Sequence, residues 1–75
     1  MNKQIQDIHK ELDSTNKNEF IIQLYRKTRR SISTIHVHWL GKVFTIPSDY
    51  EVEALKIANK LKKNQDRIRN IEVNL

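Results

Sequence analysis

The chain begins with apolar residues at the spacing of an amphipathic helix. Ile5, Ile8 and Leu12 fall on one face of a helix over residues 3–13, and charged residues occupy much of the remainder. So short a helix is marginal alone, so we expect its apolar face to dock on the rest of the protein. The polar stretch 13–18 is typical of a connector.

The middle of the chain alternates between apolar and polar residues with the period of a β-strand. This pattern predicts one strand over residues 19–27 and a second over residues 31–39, joined by a basic turn. The residues that share the apolar faces of these strands are Phe20, Ile22, Leu24, Ile35, Val37 and Trp39. We expect Trp39 to cover the core.

A hairpin is predicted at Gly41, which can adopt the positive φ of a tight turn. A two-residue loop there pairs Val37 with Phe44 and Ile35 with Ile46, so that all four apolar residues lie on one face of the sheet. The sequence therefore predicts a third strand antiparallel to the second.

A second helix is predicted from Ser48 to about Asn64. Ser48 and Glu51 have the spacing of a capping box, and an apolar stripe follows them. Three lysines near the predicted end would complement the helix dipole, namely Lys60, Lys62 and Lys63. These charges then have a structural explanation.

Residues 67–75 return to a period of two, with Ile71, Val73 and Leu75 on one side, and predict a fourth strand. A short helix over residues 66–71 is the alternative. The whole pattern predicts a single α+β domain in the order α-β-β-β-α-β, with a small antiparallel sheet of three to four strands covered on one face by two helices. The terminal strand could pair within the chain or with a second copy, which leaves a homodimer open.

Composition narrows the setting of this 75-residue chain. It has no cysteine, which fits a reducing, intracellular environment, and no apolar run near the roughly 20 residues of a membrane span. Asparagine, lysine and isoleucine are abundant, as expected of AT-rich coding DNA. We therefore expect a protein of a low-GC bacterium or its phage, located in the cytoplasm of the bacterial host.

The net charge of +5 is concentrated in residues 26–47, which hold five basic and no acidic side chains. This asymmetry predicts an acidic partner, although a basic turn that only aids solubility is the alternative. Arginine side chains in such a turn suit phosphate or carboxylate oxygens. The candidate partner- or nucleic-acid-binding residues are Tyr25, Arg26, Lys27, Arg29, Arg30, His36, His38 and Lys42.

Signatures of catalysis and of cofactor binding are missing from the sequence. A single glycine leaves no room for a phosphate-binding glycine loop, and there is no nucleophile elbow. His36 and His38 would point to the same side of a strand, but no carboxylate flanks them in the hairpin and His9 is distant in sequence. We therefore expect no enzyme activity, no metal and no cofactor.

Residues 31–64, "SISTIHVHWLGKVFTIPSDYEVEALKIANKLKKN", together with the amphipathic start of the chain, resemble small phage-encoded anti-CRISPR proteins of low-GC Gram-positive hosts. That resemblance implies a helix, a three-stranded sheet and covering helices, and inhibition of a host CRISPR effector. Members that imitate DNA are acidic, whereas the matching region here is basic. The resemblance then implies contact of Arg26, Lys27, Arg29 and Arg30 with guide RNA or an acidic protein surface.

A second resemblance lies in "IHVHWLGKVFTI" followed by "SDYEVEA", which is similar to integrase arm-binding and Apetala-type DNA-binding domains. It implies that the exposed face of the sheet reads duplex DNA through Tyr25, His36, His38, Val43 and Thr45. The sequence thus predicts a non-enzymatic binding protein of a phage or mobile element. An anti-CRISPR-like inhibitor acting through a basic sheet-and-turn surface is the leading function, and a small DNA-binding module is the alternative.

Overall fold

A computed structural model describes residues 1–73 and shows a helical protein. Helix α1 spans Asn2–Lys10, α2 spans Ser14–Thr28, a π-helix spans Thr34–Trp39 and α3 spans Ser48–Val73. No β-strand is present in this part of the chain. The predicted α+β fold, with its antiparallel sheet, is therefore wrong.

Helix α1 was predicted correctly, although it ends at Lys10 rather than near residue 13. Ile5 and Leu12 are buried, as the predicted apolar face requires. The side chain of Asn2 at its start pairs with the backbone of Ile46, accepting from the amide at 2.7 Å and donating to the carbonyl at 3.0 Å. These two bonds fix the chain just before α3.

Helix α2 replaces both the predicted connector at 13–18 and the predicted strand at 19–27. The carboxylate of Asp13 accepts a hydrogen bond from the amide of Asn16 at 2.8 Å, which caps the first turn. Phe20, Leu24 and Thr28 are buried at intervals of four, which places them on one helix face. The buried residues of this segment therefore follow the period of an α-helix and not the period of two that predicts a strand.

The π-helix Thr34–Trp39 occupies the place of the second predicted strand. Ile35 and Trp39, again four apart, are buried, and the Trp39 ring stacks on Tyr50 at 5.6 Å between centroids. The predicted burial of Trp39 is confirmed. Val37, however, is 56% exposed, so its predicted pairing with Phe44 across a hairpin is wrong.

The predicted turn at Gly41 and the third strand after it are also absent, because residues 41–47 form an irregular loop. Gly41 does not have a positive φ. A Cβ atom at this position would instead collide with the carbonyl oxygen of Val37 in the preceding helical turn. Gly41 is therefore explained by a close backbone approach rather than by a hairpin.

Helix α3 begins at Ser48, as predicted, but continues to Val73 instead of ending near Asn64. Its 26 residues span about 39 Å at 1.5 Å per residue, which accounts for the 40 Å long dimension of the molecule. The predicted terminal strand at 67–75 is wrong over residues 67–73, and its last position, Leu75, lies outside the described residues.

Both α1 and α2 pack on α3. The C-terminal end of α1 and the N-terminal end of α2 meet at Gln65, because its side chain bonds to the backbone of Glu11 and Asp13. Helix α1 is accordingly parallel to α3, and α2 is antiparallel to it. The core between them contains Ile5, Leu12, Phe20, Leu24, Ile35, Trp39, Ile46, Ala54, Ile57, Ala58 and Leu61.

Candidate functional site

The cations at residues 26–30, here called the basic segment, lie at the C-terminal end of α2. Arg26 and Lys27 occupy its last turn, where positive charge complements the helix dipole. Arg29 is the C-cap residue, and Arg30 follows it outside the helix. All four side chains are exposed.

Hydrogen bonds on both sides fix the backbone of the basic segment. The hydroxyl of the buried Thr28 donates to the carbonyl of Leu24 at 2.8 Å and accepts from the amide of Arg30 at 3.2 Å. The hydroxyl of Ser31 accepts from the amide of Thr34 at 3.1 Å, at the start of the next helical segment. The corner is thus held in place while its cationic side chains extend into solvent.

Arg29 has a left-handed backbone, with φ 62° and ψ 15°, and its amide donates to the carbonyl of Tyr25 at 2.8 Å. Glycine is the usual residue at such a helix end, because a Cβ atom disfavours this conformation. A strained arginine where glycine would fit more easily is a feature that stability alone does not explain.

The basic segment is not neutralised by the protein itself. Among the side chains of residues 1–71, ion pairs join Lys3 to Asp7, and Lys62 to Glu11 and Asp66. None of them includes a cation of the basic segment. Its four charges are therefore available to a partner.

The remaining predicted contact residues do not share a face. Tyr25 is 40% exposed on α2, His36 and His38 are exposed on the π-helix, and Lys42 is exposed in the loop that follows. Two positions apart on a helical backbone lie on nearly opposite sides of its axis, so the two histidines point apart. The sheet surface expected to join these residues is absent from the described structure.

His36 instead lies near His9, a proximity that sequence distance concealed. Both line an open pocket of about 230 Å³ whose other lining residues are Ser14, Lys17, Asn18, Ile21 and Leu40. The His9 ring packs against Phe20 and Phe44, with centroids 5.4 and 5.7 Å away. Burial, together with the charge of Lys17, lowers the pKa of His9. Among the side chains of residues 1–71, no cluster of three histidine or carboxylate groups suits a metal ion.

A second set of unpaired cations lies on α3 and was missed in the sequence. Lys56, Lys60, Lys63 and Arg67, here called the cationic stripe, recur at i, i+4, i+7 and i+11 on one helix face. All four are exposed, and no ion pair within the described chain includes them. The spacing of these cations can be read from the sequence. A helix that ends near Asn64, however, would have Lys60 and Lys63 near its C-terminus, where the helix dipole alone would explain them.

Comparison with family models, with curated proteins and with solved structures finds no match for this chain. Within residues 1–73, no helix combines the length and the apolar character needed to cross a bilayer. The site must therefore be interpreted from its own chemistry, which is that of exposed, unpaired cations.

Proposed function

We propose that the protein is a non-enzymatic, cytoplasmic binding protein of a bacterium or phage that contacts nucleic-acid phosphates through the basic segment. The observation that carries this proposal is the capped corner at residues 26–30, where four exposed cations have no acidic partner in the described chain. Arginine binds two phosphate oxygens at once through its planar guanidinium group.

Phosphate binding suits the DNA-binding alternative and the form of the leading function that contacts guide RNA, whereas an inhibitor that contacts an acidic protein surface does not require it. An inhibitor bound to the guide RNA of a CRISPR effector needs a phosphate-binding surface, and so does a small DNA-binding module. The helical fold removes the sheet face with which the DNA-binding module was expected to read bases. The exposed arginines support contact with the phosphate backbone of a nucleic acid, which the guide-RNA inhibitor and the DNA-binding module both need.

The test is fluorescence anisotropy of labelled random-sequence duplex DNA and guide-like RNA at about 50 and 200 mM salt, the range over which phosphate-driven binding weakens strongly. We expect binding that falls steeply with salt and is weakened by the double variant Arg29→Gln/Arg30→Gln. The matched control is Lys3→Gln/Lys10→Gln, which removes the same charge from α1.

Absence of salt-sensitive binding to every probe would contradict this function and favour a protein partner. An assay of CRISPR effector cleavage with added protein then tests the inhibitor hypothesis separately. Binding to RNA together with inhibition would identify the inhibitor, whereas binding to duplex DNA without inhibition would identify the DNA-binding module.

A further inference from the structure

We infer that the cationic stripe of α3 is a second contact surface for the phosphate backbone of a nucleic-acid duplex. This inference rests on the proposed function and adds to it a site separate from the basic segment. The stripe covers twelve residues of helix, and the rise from Lys56 to Arg67 is about 16 Å. A duplex carries one phosphate charge per about 1.7 Å of its axis, so several phosphates lie within reach of the four cations.

Dipole compensation does not explain the stripe. Helix α3 continues to Val73, so Lys60 and Lys63 lie at least ten residues before its end. The dipole effect falls off within the last turn. Lys62, by contrast, is paired with Asp66 at 2.8 Å and with Glu11 at 3.3 Å, and it points away from the stripe.

Glu53 lies one helical turn before Lys56 on the same face, but no ion pair in the described chain joins it to the stripe. Residues 56–71 hold six basic side chains and a single acid, Asp66, which is occupied by Lys62. Like charges at i and i+4 disfavour a helix, as for Lys56 with Lys60 and for Lys63 with Arg67. An external polyanion would relieve this repulsion.

The make-up of this face favours nucleic acid over a protein or a membrane. Between Lys56 and Arg67 the only exposed residue besides the four cations is Asn59. Protein interfaces usually depend on aromatic or apolar anchors and are depleted in lysine. A membrane-surface helix needs a continuous free apolar face, whereas between Lys56 and Arg67 the apolar residues Ile57 and Leu61 are buried in the core, and the exposed Val52, Ile68 and Ile71 lie outside this stretch. Contact with a phosphate backbone needs only the cations.

Helix α1 runs along one flank of the stripe, where Asn59 lines a groove together with Gln4, Asp7 and Ile8 of α1. Leu55 lines the same groove as Ile8, and Lys62 pairs with Glu11 of α1 at 3.3 Å, whereas Ile57 and Leu61 are buried in the core. The four cations of the stripe are exposed and lie outside the core, so their substitution leaves the core unchanged. This makes the stripe suitable for a clean charge-removal experiment.

The experiment measures the affinity for duplex DNA and duplex RNA as a function of salt for the wild type and three double variants. The stripe variant is Lys60→Gln/Lys63→Gln, the basic-segment variant is Arg29→Gln/Arg30→Gln, and the control is Lys3→Gln/Lys10→Gln. Each removes two positive charges. Circular dichroism confirms that each variant retains its helices.

If Lys60 and Lys63 each contact a phosphate, the slope of log affinity against log salt becomes shallower by about 1.8. The affinity lost by the stripe variant is then about twelvefold greater at 50 mM than at 200 mM salt. The control should retain the wild-type slope. The two probes show whether the duplex is DNA, RNA or either.

A stripe variant with the slope of the control, alongside a basic-segment variant with a reduced slope, overturns this inference and leaves the proposed function standing. If neither variant changes the slope, or if the wild type binds no probe, both the inference and the proposed function fail. A reduced slope in the stripe variant alone supports the stripe and removes the basic segment from the proposed function.

Discussion

The side-chain oxygen of Gln65 accepts a hydrogen bond from the backbone amide of Asp13 at 2.8 Å, across 52 residues of sequence. The same oxygen accepts from the side chain of Asn16 at 3.0 Å, and the Gln65 amide donates to the carbonyl of Glu11 at 2.8 Å. Gln65 is 5% exposed. One side chain thus joins the end of α1 and the start of α2 to α3.

Replacing Gln65 with leucine should destabilise the fold, because the backbone groups of Glu11 and Asp13 lose their partner near the core. An unsatisfied buried group costs about 1–3 kcal/mol, and we expect a loss of that size in the free energy of unfolding. Urea unfolding measures it as a lower midpoint at unchanged slope. Asn70→Ala, on the exposed end of α3, is the control, and an equal loss there would contradict this role for Gln65.

Arg29→Gly should stabilise the protein, because glycine adopts the left-handed conformation without a Cβ penalty. Part of the gain is offset by the greater freedom of glycine in the unfolded chain, so we expect about 0.5–1 kcal/mol. Arg30→Gly is the control, since Arg29 is the only residue with positive φ in the described chain. Both variants should bind nucleic acid more weakly than the wild type. Equal stabilities for the two would show that Arg29 is not strained.

Gly41→Ala should destabilise the protein, because the new methyl group meets the carbonyl oxygen of Val37. Such overpacking typically costs about 1–3 kcal/mol. Thermal unfolding of this variant and of Lys42→Ala, its exposed neighbour, provides the comparison. If both variants unfold with the wild type, the close approach at Gly41 is not present in solution.

Stability should fall as the pH drops below about 6.5, the ordinary pKa of histidine. Burial, with a smaller contribution from Lys17, lowers the pKa of His9 in the folded protein, so the unfolded chain binds this proton at a higher pH. Stability from neutral His9 is complete above the unfolded pKa and is lost as the pH falls toward the folded one.

Urea unfolding from about pH 7.5 to 5 covers this range. His9→Gln should remove this part of the pH dependence, whereas His38→Gln, which leaves His9 in place, should retain it. His36 lines the same pocket as His9, so His36→Gln is measured as a third variant. If His9→Gln loses stability toward acid as steeply as the wild type, protonation of His9 is not the cause.

The two elements predicted correctly from the sequence, α1 and the start of α3, both have apolar residues at a helical period. The prediction of a strand over residues 19–27 was wrong because the spacing of Phe20 and Leu24 fits the period of a strand and the period of a helix equally well. Asp13 is a residue type that caps helix starts, and this signal favours a helix over a strand. Its polar surroundings at residues 13–18 are equally typical of a connector, which is what the sequence predicted there.

Of the candidate site, only the basic segment was predicted from the sequence. The exposed cations of the basic segment follow from charge alone, which does not depend on whether the backbone is a turn or a helix end. Counting charge by segment concealed the cationic stripe, because Asp49, Glu51 and Glu53 at the start of α3 offset its lysines in the sum. The pocket that joins His9 and His36 depends on tertiary packing, which no local pattern reports.

The most direct measurement of the central claim is a nuclear magnetic resonance titration of the isotope-labelled protein with a short random-sequence duplex at low salt. Each backbone amide reports separately whether the duplex approaches it. We expect the largest shifts at the basic segment, residues 26–30, and along the exposed face of α3 from Lys56 to Arg67, with their reversal as salt is added. Shifts confined to other surfaces, or none at all, would contradict the account.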